Sequence, residues 1–188
     1  TLPGSITIGS AGANQTWNFS TLSQDELDTV NFIDPAPFPG SNDFPTANLG
    51  IMEPVEDSAW SFLEKSSTGL FFRGQSRIND GNLITIPLNS TIVTFPSTMG
   101  TSFGGVWNGT VLQSFIGQFG IDSVRITRES NVNSNIDAWG NVTTPLGTFA
   151  SIRQIMVEEN TDTTWIYQAG SWSIIDAVTA SLFGINPI

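Results

Sequence analysis

Apolar residues in this chain recur at every second position, in short runs that turn residues cut off before they lengthen. That period places one face of an extended segment inward and leaves the other in water, which is the signature of half-buried β-strands. Ser5-Ile6-Thr7-Ile8 alternates in this way, and Thr16-Trp17-Asn18-Phe19 repeats it with aromatics. Further runs are 28–33, 60–63, 69–73, 83–88, 91–95, 123–127, 149–158 and 163–168. Asn79-Asp80-Gly81 predicts a hairpin turn, because Asp-Gly tolerates positive φ. Ala138-Trp139-Gly140-Asn141 and Pro145-Leu146-Gly147 read as two more reversals.

Helical signals are few. Ser23 with Glu26 forms a capping-box pattern, 111–119 has weak helical spacing, and Asp176 to Phe183 is followed by a stop signal at Gly184. The stretch 34–45 holds Pro35, Pro37, Pro39 and Pro45, so it is neither a helix nor a central strand. It reads as an ordered surface loop pinned to the core by Phe38 and Phe44. Many short strands without a long linker or repeat predict one domain over residues 1–188. Its expected class is all-β, an antiparallel β-sandwich or jelly-roll-like fold with at most one or two short helices.

Composition narrows the function. Net charge is −11 with only six basic residues, so the clustered Lys and Arg that grip a phosphate backbone or an anionic membrane are missing. Nucleic acid is therefore not an expected partner. No apolar run is long enough to predict a membrane span. Thirteen Phe and six Trp argue against a disordered chain despite the abundance of Ser, Thr, Asn and Gly. The chain starts at Thr1 rather than Met, which reads as a mature or trimmed product.

The absence of Cys and His removes Cys-His and Ser-His-Asp catalysis and the His and thiolate metal sites. Paired carboxylates remain, and Glu53, Glu56, Asp80, Asp137, Glu158 and Glu159 are the candidates for glycosidase chemistry. Glu158 and Glu159 are adjacent on a predicted strand and point to opposite faces, while Asp80 and Asp137 sit at predicted turns, where Asp commonly bonds its own backbone. No catalytic residue is assigned on this reading and no cofactor is required. A structural Ca²⁺ is a subsidiary expectation, with acid-rich loops at 53–57 and 160–162 as the oxygen donors.

Two blocks carry a family resemblance. Gly12-Ala13-Asn14-Gln15-Thr16-Trp17-Asn18-Phe19-Ser20 is followed by Asp34-Pro35-Ala36 and 43–49, and Asp137-Ala138-Trp139-Gly140-Asn141 is followed by 144–149 and Ile152-Arg153-Gln154-Ile155. Together they resemble the N-terminal β-rich module of secreted Bacteroidetes proteins that carry a type IX secretion sorting domain. The resemblance implies a secreted or outer-surface location rather than an activity. It also directs attention to Asp-Ser/Thr O-glycosylation sites, which here are Thr29, Ser58, Ser123 and Thr163, each after an Asp. Asn-x-Ser/Thr sequons stand at Asn14, Asn18, Asn89, Asn108 and Asn141.

The expected role is a non-catalytic structural or adhesive module at the cell surface, acting on other surface proteins or on copies of itself. The runner-up is a carbohydrate-binding module, and a glycosidase comes third. For polysaccharide binding, Trp107 and Trp139 are the candidate residues, since both lie among Gly and Asn residues that read as reversals. Trp17, Trp60 and Trp165 lie in alternating runs and read as core, while Trp172 fits either role. For self-association, the N-terminal run Ser5 to Ile8 and the apolar tail 174–188 are the candidate donors.

Overall fold

The longest hairpin in the molecule turns on two residues. Thr144 pairs with Gly147 across Pro145-Leu146, and the strands on either side run 24 and 22 residues. In this computed structural model, which describes residues 9–22, 29–52, 58–79, 81–114 and 118–185, those two strands form the spine. In chain order the strands are β1 (Gly12–Asn18), β2 (Leu49–Met52), β3 (Ala59–Lys65), β4 (Gly69–Asn79), β5 (Asn82–Thr94), β6 (Ser102–Ser114), β7 (Ile121–Thr144), β8 (Gly147–Gln168) and β9 (Ser171–Ile175). One helix, α1 (Ala177–Leu182), and two 3₁₀ turns complete the described elements.

The fold is all-β with two sheets, as the alternation predicts. The first runs β1-β7-β8-β9, with β6 on the same edge of β7 as β1. β6 covers residues 123–135 of β7 and β1 covers 138–143, and between them the backbone of Gly100 and Thr101 bonds Ile136. Neighbours are antiparallel except β1, which lies parallel to β7. The second sheet is the antiparallel meander β2-β3-β4-β5.

Each sheet has its own apolar centre. Phe38 and Phe44 fold the proline-rich loop over the second sheet and meet Trp60 and Phe62 of β3. Phe44 stacks on Phe62 with ring centroids 4.3 Å apart, and Phe38 meets the same ring edge-on at 6.0 Å. Burial of a phenyl ring contributes about 1.5–3 kcal/mol. Ser76 adds a bond of 2.6 Å to the Pro39 carbonyl, so the loop is held as the sequence predicts. On the first sheet, Val124, Ile126 and Ile166 pack with Ile121 against Ala180 of α1 and Ile185. Asp176 caps α1 by accepting from the N–H groups of Val178 and Thr179, and Gly184 follows with φ 72°.

Several local readings need correction. The runs 83–88 and 91–95 are one strand, as are 149–158 and 163–168. Between 29 and 33 only Ile33 pairs, in a single bridge to Gly50. Residues 111–114 are strand rather than helix, because they continue the β6 ladder on β7. The expected reversal at 138–141 lies inside β7, where the glycine serves close strand packing instead of a turn. Likewise 160–162 is not a loop but part of β8, with Asp162 held by both Nε and Nη2 of Arg128 at 2.7 Å. The predicted strand at 5–8 and helical turn at 23–27 lie outside the described residues, as do Glu53, Glu56 and Asp80.

Candidate functional site

The long hairpin positions three surfaces: a cleft at Trp139, a cleft at Trp107, and the outer edge of β8. Register sets the first. Trp139 on β7 stands opposite Ile152 on β8, and the chain between β5 and β6 brings Ser97, Thr98 and Met99 alongside. The result is an open cleft of about 660 Å³ that also takes in Asn141 and Ser151. Trp139 keeps 43% of its surface exposed, and Met99 and Ile152 are equally open. Among the described residues no ionisable side chain lines this cleft. Its chemistry is one indole face, two flexible apolar groups, and neutral hydroxyl and amide donors and acceptors.

The second cleft, about 470 Å³, lies where β5 crosses the first sheet. Trp107, Phe72, Leu88, Ile92 and Met156 form its apolar wall, and Glu158 is its one carboxylate among the described residues. Gln154 closes one side by donating to the Ile92 carbonyl and to Ser134. Beneath it, the buried Ser130 hydroxyl lies 2.7 Å from Glu158 Oε1 and 2.5 Å from Asn160 Oδ1. Thus both tryptophans singled out in the sequence line clefts. Neither sits at a reversal, because each lies within a long strand. The glycines around Trp107 allow close packing instead. A Cβ on Gly104 would collide with the Val132 carbonyl, and one on Gly109 would come within 3.1 Å of the Trp107 ring.

The remaining carboxylate candidates are separated. A β-bulge between Ile136 and Ala138 inserts Asp137 and brings it to Arg153, which donates from Nε at 2.8 Å and Nη2 at 2.6 Å. That pairing holds the Asp137 carboxyl below the usual carboxylate range, and Arg153 also donates to the Gly9 carbonyl. Glu158 and Glu159 are adjacent on β8 and so lie on opposite faces. Among the described residues no group of three acidic side chains is placed to hold a metal ion. No helix among them is long and apolar enough to cross a membrane.

The outer edge of β8 is the third surface. β9 pairs with residues 164–168 only, so among the described residues 147–163 have no strand on that side. The open stretch spans roughly 55 Å at about 3.3 Å per residue. It presents exposed Phe149, Ile152, Ile155, Met156 and Val157, with no proline. Of the O-glycosylation candidates, Thr29 and Ser58 are exposed outside the strands, whereas Ser123 and Thr163 are half-buried within β7 and β8.

One cluster escapes the sequence reading. Trp165 is not core: it is half-buried on the face opposite Ile166, directly across from Arg125. The Arg125 guanidinium carbon lies 4.6 Å from the Trp165 ring centroid and 4.8 Å from that of Trp172. Tyr167 then meets Trp172 at 5.2 Å. Only the cross-strand register, which joins positions forty apart in the chain, discloses this arrangement.

Comparison with protein-family models, with curated proteins and with solved structures finds no match.

Proposed function

We propose that this chain is a non-catalytic structural module of an exported or cell-surface protein, and that copies join through the outer edge of β8. The supporting observation is the open edge itself. A long edge strand offers a row of unpaired N–H and C=O groups, and proteins normally blunt it with proline, lysine or a covering segment. Here 147–163 carries neither proline nor lysine, and apolar side chains stand on both its faces.

A second copy fits this edge by symmetry. Antiparallel pairing about Ile155 is self-complementary under a two-fold axis. It sets Glu158 and Glu159 opposite Ile152 and Ser151 of the second copy, so the acidic pairs stay apart. It also brings Arg153 diagonal to Glu159 of the second copy. The test is light scattering on a concentration series, with Ile155→Lys/Val157→Lys as the edge-blocked variant. Assembly in the wild type and monomers in a normally folded variant are expected. Wild-type monomers at every concentration sink the proposal.

The Trp139 cleft favours a second role, holding a neutral saccharide. An exposed indole face surrounded by hydroxyl and amide groups, with no charged side chain among the described residues, matches the apolar ring face and hydroxyl rim of a sugar. Titration with neutral oligosaccharides should quench tryptophan fluorescence, and Trp139→Ala should remove the response. A response unchanged by that substitution excludes the cleft.

A further inference from the structure

We infer that the outer face of β7, β8 and β9 binds a carboxylate-bearing sugar ring, with Arg125 receiving the carboxylate. The chain has far more acids than bases, yet Arg125 is left without one. Of the half-buried arginines, Arg73 pairs with Glu64, Arg128 with Asp162 and Arg153 with Asp137. The Arg125 side chain makes no ion pair or hydrogen bond among the described residues, and its Nε is shut off from solvent without a partner. With Nε closed off, an outside ligand meets the edge formed by Nη1 and Nη2, which have no hydrogen-bond acceptor among the described residues.

Geometry defines that acceptor. Trp165 and Trp172 take up the guanidinium by cation–π contact. A stacked guanidinium keeps its in-plane N–H edge for hydrogen bonding, and the ligand that matches two parallel N–H groups is a planar two-oxygen anion. Next to this edge, Trp172 is 36% exposed and leans on Tyr167, giving a ring-sized apolar surface. Ser123, Thr127 and Thr163 alternate onto the same face and offer neutral hydroxyls. A carboxylate attached to a ring with hydroxyls uses all three features. A carboxylate of an acidic peptide uses only the first.

The test compares three probes: an oligomer of galacturonic acid, its methyl ester, and an acidic peptide. Calorimetry and tryptophan fluorescence should show binding of the acid oligomer. The methyl ester keeps the ring but loses the charge, and should bind at least about tenfold more weakly. Arg125→Gln should weaken the acid oligomer to a similar degree, and Trp172→Ala should weaken both sugars. Leu146→Ser, at the exposed turn between β7 and β8 and far along both strands from Arg125, should change nothing. The neutral-sugar cleft would hold the ester as well as the acid, so the difference between the two probes separates the sites. If Arg125→Gln fails to fold, the comparison of acid with ester on the wild type decides alone. No binding of the acid oligomer, equal binding of its ester, equal binding of the peptide, or indifference to Arg125→Gln each overturns the inference.

Discussion

Gly140 of β7 lies flat against the backbone of Gln15 of β1, so close that a Cβ at position 140 would collide with the Gln15 carbonyl oxygen. The obstacle is main chain, which cannot rotate aside as a side chain can. Gly140→Ala must therefore push β1 off the sheet or distort β7. We expect a loss of about 1–3 kcal/mol, the range for overpacking a close-fitted site. A lower melting midpoint checks this, together with faster proteolysis within 9–22, the segment that β1 anchors. An unchanged midpoint refutes the close approach.

The same glycine shows what the sequence discloses and what it hides. Strand alternation, the pinned proline loop, the Pro145-Leu146-Gly147 turn and the helix between Asp176 and Gly184 all depend on neighbours in the chain, and all are legible there. Gly140 reads as a turn because a glycine serves a turn and a close backbone approach equally well, and only the partner strand decides. The Asn160 to Asp162 stretch misleads in the same way: three polar residues resemble a loop until Arg128 across the ladder claims Asp162. Trp139 and Trp107 stand out by residue type, for reasons of position that the structure does not support. Arg125 with Trp165 and Trp172 is invisible in the sequence, because it depends on a register fixed by two hairpins.

Acid should loosen the molecule through a small set of carboxylates. Asp137 is held below its ordinary range by the Arg153 hydrogen bond, Glu64 by the Thr46 hydroxyl and then Arg73, and Asp176 by the Thr179 N–H. A carboxyl whose folded pKa is depressed binds fewer protons folded than unfolded. Its contribution is complete above the unfolded pKa, about 4, and fades as pH falls through the folded value. The melting midpoint should thus be flat near neutrality and decline below about pH 4.5. Asp137→Asn removes one titrating group, so its midpoint should start lower and decline less steeply. Parallel curves for wild type and variant would show that Asp137 does not contribute.

Phe44 tests the loop that covers the second sheet. It is 4% exposed and stacked on Phe62, and it blocks the space where Gly74 would otherwise carry a Cβ. Phe44→Ala opens a cavity that the meander cannot close, because β3 and β4 are fixed by their own ladder. The expected cost is about 3–5 kcal/mol, which lowers the melting midpoint by roughly 6–20 °C. Phe44→Leu retains most of the volume and should cost less than half as much. Near-wild-type stability of the alanine variant would mean that the loop lies on the sheet without packing into it.

Ser130 sets up the last prediction, because one hydroxyl faces two oxygens. Glu158 Oε1 and Asn160 Oδ1 both lie within bonding distance of Ser130 Oγ, which has a single proton to donate. Turning the Asn160 amide so that its NH₂ faces Ser130 would let Asn160 donate to Ser130 and Ser130 donate to Glu158. Asn160→Asp deletes that donor and sets a second carboxylate beside Glu158. The two like charges raise the affinity of the folded site for a proton. A carboxyl with a raised folded pKa stabilises at low pH and loses that contribution as pH rises through the folded value. The variant should therefore match the wild type below about pH 4 and melt progressively lower above it. Asn160→Ser, which can still donate, should show no such divergence. Identical pH profiles for Asn160→Asp and the wild type would leave Asn160 accepting rather than donating at this junction.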